Sequence, residues 1–211
     1  MSGLSCDTRA NAIGGRHYCE STFPPMMPTV MLPEPETWTA PDATPVTIRA
    51  IRAADFELEK EFVVGLSSAT GYQRLMSTRR PSADEIRRFT DIDYEREMAL
   101  IATIAIEGHK QGHEQGRERQ VGVARYVKDE AVPGEAEFAI VLADEWQGRG
   151  LGRKLLTSLL AAAKSQGVRR LVGTALSSNE GMLALARRTG FRLARDPASA
   201  TIMNLTLDLA P

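Results

Sequence analysis

The sequence predicts a mixed α/β (α+β) fold, with a mostly antiparallel central sheet of about six or seven strands flanked by about four helices. Three observations carry that expectation. Short β-rich segments follow one another through the middle of the chain, "MALIATIAIEG", "VGVARYV" and "AEFAIVL", in the order of a hairpin meander. One later segment, "RGLGRKLLTSLLAAAKSQG", has an unmistakable helical stripe. Between strand and helix stand three alternating glycines, Gly148, Gly150 and Gly152, where a helix should start.

Taken in order, residues 1 to about 45 differ from the rest. "FPPMMPTVMLPEPETWTAPDATP" is dense in proline and has neither helical nor strand period. Proline fixes φ and withholds a donor, so residues 1–45 read as a flexible extension and residues 46–211 as the domain. "VTIRAI" alternates and reads as the first strand. "RAADFELEKEFVVGLS" has helical spacing, with Phe56, Phe62, Val63 and Leu66 able to share a face. "PSADEIRRFTDI" carries Ser82 and Glu85 at capping-box spacing and predicts a second helix. The three strands of the meander follow, interrupted by the polar, glycine-punctuated turn "HKQGHEQGRERQ". In the main helix Leu155, Leu156, Leu159, Leu160 and Ala163 form the apolar stripe, and Gly167 fits a C-terminal cap. "VRRLVGTAL" predicts a strand, "NEGMLALARRTG" a short helix with Asn179 as N-cap and Gly190 as stop, and "TIMNLTLDL" a last strand.

Composition narrows the functional classes. The 211 residues are 43% hydrophobic and 25% charged, with a formal net charge of -1, so no global field points to nucleic acid. No apolar run approaches a membrane span, and the N-terminus lacks the apolar core of a secretory signal. Cys6 and Cys19 form no CxxC pattern. A soluble, cytoplasmic protein without membrane or nucleic-acid partners is expected. His109 and His113 lie in a glycine-broken loop without partner carboxylates at helical spacing, so no metal site is expected.

The glycine run fails both common phosphate fingerprints. A P-loop needs a glycine five residues after the first, and Arg153 stands there. The GxGxxG pattern would need that same position to be glycine. The spacing present is Gln147-x-x-Gly150-x-Gly152. Its physics is still that of an anion site: a helix N-terminus offers unpaired N–H groups, and glycines clear the approach to them. Arg149, Arg153 and Lys154 add positive charge. A glycine turn that binds nothing is the bland alternative.

"EFAIVLADEWQGRGLGRKLL" resembles the acetyl-CoA-binding motif of the GNAT superfamily of N-acetyltransferases, and "SSNEGMLALARRTGF" resembles that superfamily's next element. "IRAIRAADFELEKEFVVGLSSATGYQRLM" and "DIDYEREMALIA" are similar to the acetyltransferase domain of bacterial Pat-type protein lysine acetyltransferases. The resemblance covers about Val46 to Leu209 and implies the GNAT fold, with acetyl-CoA as acyl donor. It also implies that backbone N–H groups of Gln147, Gly148, Arg149, Gly150, Leu151 and Gly152 hold the pyrophosphate. The strand "AEFAIVL" should part from "VRRLVGTAL", leaving unpaired backbone near Leu142 for the pantetheine arm. Asn179 either bonds the cofactor or only caps its helix.

Transfer of acetyl from a thioester to an alkylammonium benefits from a general base. Glu137 lies ten residues before Gln147, and the resemblance implies that a glutamate here acts as base, through water. Glu135 points to the same face by strand alternation and is the reserve candidate. The alternative for both is a solvated charge at a strand end. The superfamily's usual tyrosine general acid is replaced by Ala186, which leaves the thiolate's proton donor unassigned. Asp91, Asp93, Glu95 and Glu97 around Arg96 are either an acceptor-attracting patch or a structural ion pair. Tyr72 and Arg74 fall where the resemblance places the acceptor groove, without an assigned role. Three functions compete: acetylation of protein lysines, acetylation of a small amine, and a weakly catalytic acyl-CoA sensor. The acceptor leaves no mark in the sequence. Glu137 argues against the sensor, which needs no base.

Overall fold

The computed structural model describes residues 30–75, 79, 81–106 and 117–209. Strand β1 (Glu36–Thr39) pairs antiparallel with β2 (Pro45–Ala50). Helices α1 (Phe56–Gly65), α2 (Ser68–Leu75) and α3 (Ala83–Thr90) follow. The meander is β3 (Glu97–Ile106), β4 (Arg117–Lys128) and β5 (Glu135–Leu142). Helix α4 (Leu151–Ser165), β6 (Arg170–Leu176), α5 (Glu180–Arg188), β7 (Arg192–Asp196) and β8 (Ser199–Asp208) complete the chain.

The eight strands form one sheet in the order β1-β2-β3-β4-β5-β6-β8-β7. Every neighbouring pair is antiparallel except β5 and β6, which run parallel. Helix α4 lays Leu155, Leu156, Leu159 and Ala163 on one face, where they meet Leu100, Tyr126 and Phe138 in the main core. The predicted stripe is therefore the buried one, with Leu160 at its margin. The other face of the sheet carries a smaller core of Ile51, Phe62, Ile101, Val123 and Val141 under α1. No helix among the described residues is long and apolar enough to cross a membrane.

The predicted fold class holds, with β1, β7 and α2 added to the expected elements. Strand β1 lies ahead of the expected boundary at residue 46, inside the proline-rich stretch. Its four residues are too few for a visible period, yet Trp38 packs on the main core. Residues 1–29, including both cysteines, and residues 107–116, including His109 and His113 of the expected turn, lie outside the described residues. The Ser82–Glu85 capping box forms as expected, and Glu85 also takes both guanidinium nitrogens of Arg79. In the acidic stretch before β3, Arg96 pairs with Asp93 and Glu130, and the Tyr94 hydroxyl donates to the Ile51 carbonyl.

Candidate active site

Strands β5 and β6 touch only at one end. Their register runs through Glu135↔Arg170, Ala136↔Leu171 and Glu137↔Val172, and then stops. β5 continues to Leu142 and β6 to Leu176 with no ladder between them. The parting starts where Phe138 meets Gly173: a Cβ on Gly173 would lie 2.8 Å from the Phe138 ring. Phe138 is held there by Phe191, its ring centroid 4.7 Å away. The splay expected at this place is present.

The mouth of the splay opens onto the glycine run. Gly148 and Gly150 have φ of 71° and 92°, a left-handed conformation that L side chains resist. Gly150 is the N-cap of α4, so the first N–H groups of that helix have no capping side chain. Gly152 has a different reason: a Cβ there would come within 3.3 Å of Leu142 and 3.5 Å of Leu185. It lets α4 seat closely on β5 and α5. Leu151 is fully buried, so it can offer only its backbone to a ligand.

Two named side chains turn out to be tied to the protein. The Gln147 amide donates to the Leu142 carbonyl at 3.4 Å and to the Thr70 hydroxyl at 3.2 Å. Arg149 lies 4.5 Å over the Trp146 ring and bonds the Asp42 carboxylate. Lys154 likewise meets Glu36 at 2.5 Å. The β1–β2 hairpin therefore places two carboxylates on the cations of the loop, and Trp38 lies near Gly150. For Asn179 the structure supplies the cap: its side-chain oxygen accepts from the Met182 N–H at 3.0 Å.

Glu137 and Glu135 share a face of β5, but their surroundings differ. Glu135 sits at the paired end, partly buried, with Arg170 at 3.8 Å. Glu137 is exposed and occupies the last rung before the strands part. Its face is the one covered by α1 and α2, because Val141 on that face packs in the smaller core. Ala186 is fully buried in the main core, so no proton donor stands at that position.

Two features escaped the sequence. Asp144, just after β5, accepts from the Ser67 N–H and hydroxyl and from the Thr70 hydroxyl, at 3.1, 2.7 and 2.7 Å. Burial works to raise its pKa, but those hydrogen bonds outweigh it and hold the carboxyl below its usual range. It ties α2 to the loop that leads into the glycines. The second feature is a cavity of about 290 Å³ between α1, α2, α3 and the face of β4 and β5. Its wall includes Glu59, Tyr72, Arg74 and Arg125. Helical spacing alone could not show that these residues converge.

Residues 46–192 match the family described as acetyltransferase (GNAT) domain. An acetyltransferase of Pseudomonas aeruginosa is 33% identical over 161 residues, which cover 76% of this chain and 82% of that protein. Acetyltransferase Pat of Mycolicibacterium smegmatis is 27% identical over 143 residues, covering 68% of this chain and 40% of Pat. The crystal structure of the GNAT domain of S. lividans PAT superposes with a TM-score of 0.72 at 27% identity, over 83% of this chain and 97% of that one. The chain belongs to the GNAT acetyltransferase family and is an acyltransferase that acts on an amine.

Proposed function

We propose that this acetyltransferase moves the acetyl group of acetyl-CoA directly to an amine, with Glu137 as general base. Acetyl-CoA is the donor substrate. The observation that carries the reading is the position of Glu137: an accessible carboxylate on the last rung between β5 and β6, where the free edge of β5 begins. The edge of β5 beyond Glu137 that faces β6 would take the amides of the pantetheine arm, as an added strand pairs with a sheet edge. The N–H groups at the start of α4 would take the pyrophosphate. Gln147 and Asn179 also act within the protein, Asn179 in the capping role that was one of its two expected ones. Gln147 fixes the Leu142 carbonyl, and Asn179 shapes α5.

The chemistry follows from these positions. The ammonium of the acceptor gives its proton to Glu137, directly or through one water. The amine lone pair attacks the thioester carbonyl carbon, the C–S bond breaks, the thiolate leaves, and the nitrogen gives its second proton to solvent as it becomes an amide. With Ala186 buried, no side chain there protonates the sulfur, and solvent supplies that proton.

Two acceptor classes fit this chemistry. Kinship with Pat supports a lysine side chain of a protein. The cavity on the face of β5 that carries Glu137 supports a small amine, and this is the reading the geometry favours: it is a built pocket on this chain. Incubation of the protein with labelled acetyl-CoA and a cell extract separates them. Label in small metabolites supports the second class and label in proteins the first. Hydrolysis of acetyl-CoA with no amine labelled would overturn the transferase mechanism itself.

A further inference from the structure

The charges around the cavity do not balance locally. Arg125 is committed to the protein: it donates to the Phe89 carbonyl at 2.8 Å and lies 4.8 Å over the Phe89 ring. Glu59 is buried, takes a hydrogen bond from the Gln120 amide, and is pushed by burial toward its neutral form. Arg79 holds Glu85 with both nitrogens. Arg74 is the exception. It lines the cavity, is partly buried, and makes no hydrogen bond or ion pair with any described residue. Burial and the like charge of Arg125 pull its pKa down to about 10, so it remains charged at neutral pH. Glu59 and Glu137 oppose that shift only through space.

A guanidinium has five N–H donors in a planar fork. Withdrawing it from water without partners is costly. Its natural complement is a carboxylate, which can accept two of those bonds side by side. Arg74 lines the cavity together with Val141, which stands on the face of β5 that carries Glu137. Arg125 lies opposite Ala139, and Glu137 is the next residue of β5 on the same face, roughly 7 Å along the strand. The cavity is near the lower end of the volumes that hold small ligands.

We infer that the cavity is a carboxylate subsite: Arg74 holds the carboxylate of a small, amino-acid-like acceptor whose amine lies at Glu137. This rests on the reading of Glu137 as the base and deepens the small-amine alternative. A lysine within a protein carries no carboxylate at that distance from its amine, so Arg74 would be left without a partner.

The test separates binding from transfer. The full chain, saturated with CoA so that no chemistry occurs, is titrated calorimetrically with the standard α-amino acids and with the amide of each. At least one acid should bind about 10- to 100-fold more tightly than its amide, the size expected for charge-assisted hydrogen bonds. Arg74→Gln should bring that ratio close to one, while Arg74→Lys should retain part of it. A ratio near one in every pair, including a failure of all to bind, overturns the inference. So does a ratio that survives Arg74→Gln, or a lysine peptide bound better than every amino acid. Coenzyme A release from acetyl-CoA is then followed with the bound acid. Selective binding without release would count against Glu137 as base and leave the subsite standing.

Discussion

The glycine loop and the cavity under α1 are separated by one short helix, α2, yet they are made of different material. The loop is backbone: left-handed Gly148 and Gly150, the open N-terminus of α4, and the unpaired edge of β5. The cavity is side chain: Glu59 from α1, Tyr72 and Arg74 from α2, Phe89 from α3, Arg125 from β4. On the proposed reading, the backbone site recognises what every donor shares, a pyrophosphate and a chain of amides. A site made of side chains recognises what distinguishes one acceptor from another, and it can change without disturbing the sheet. Asp144 and Gln147 join the two, since both bind Thr70 at the start of α2.

The largest expected effect lies where the halves meet. Glu137→Gln keeps the shape of the strand but cannot take the proton. Turnover should fall by roughly 10²–10⁴-fold at neutral pH, with acetyl-CoA affinity retained. The deficit should shrink as pH rises toward the acceptor's own pKa, because solvent then supplies the free amine. A deficit that persists at high pH would make Glu137 a positioning residue.

Next comes the backbone half. Gly150→Glu brings a side chain and a negative charge to the loop at a φ of 92°. Acetyl-CoA affinity should fall by about 10- to 100-fold, the worth of one or two charge-assisted hydrogen bonds. The strained conformation should cost a further 1–2 kcal/mol or so of stability. Calorimetric titration of the folded variant decides it, and unchanged affinity would reduce the loop to a plain turn.

The hairpin tests where the backbone half begins. We propose that the domain extends back to β1, and that residues 1–29 are dispensable for acetyl-CoA binding. Trp38→Ala should lower stability by roughly 1–3 kcal/mol, because the indole packs on the main core. Chemical denaturation measures this, and a truncation at residue 46 with undiminished stability would restore the boundary read from the sequence.

The smallest effect concerns the link between the halves. Asp144→Ala removes the acceptor of three hydrogen bonds at the start of α2 and should cost about 1 kcal/mol, as for other lost helix caps. The carboxyl is held below its ordinary range in the folded state. Its contribution is therefore complete above the unfolded value, near about 4, and is lost as pH falls through the lower folded value. The stability difference between the parent and Asp144→Ala, followed by thermal unfolding across that range, should vanish in acid. A difference independent of pH would point to packing instead.

The sequence by itself determined the elements whose signals are contiguous. The strand "AEFAIVL", the glycine run and the stripe of Leu155, Leu156, Leu159 and Ala163 follow one another within thirty or so residues, so chain order already says what touches what. The capping box at Ser82 was legible for the same reason, whereas the left-handed φ of Gly150 appears only in the structure. The tertiary structure alone decided the rest. Strand β1 has four residues and no visible period, and only its pairing with β2 makes it a strand. Glu135 and Glu137 are equivalent by alternation, and they part only because β6 reaches Arg170 to one and ends its ladder at the other. Asn179 spends its oxygen on the Met182 N–H. Arg74 lay unassigned in the sequence, because a missing partner can be seen only when every neighbour from five elements is in place. Local propensity acts over a few residues, whereas the balance of buried charge is settled across the whole fold.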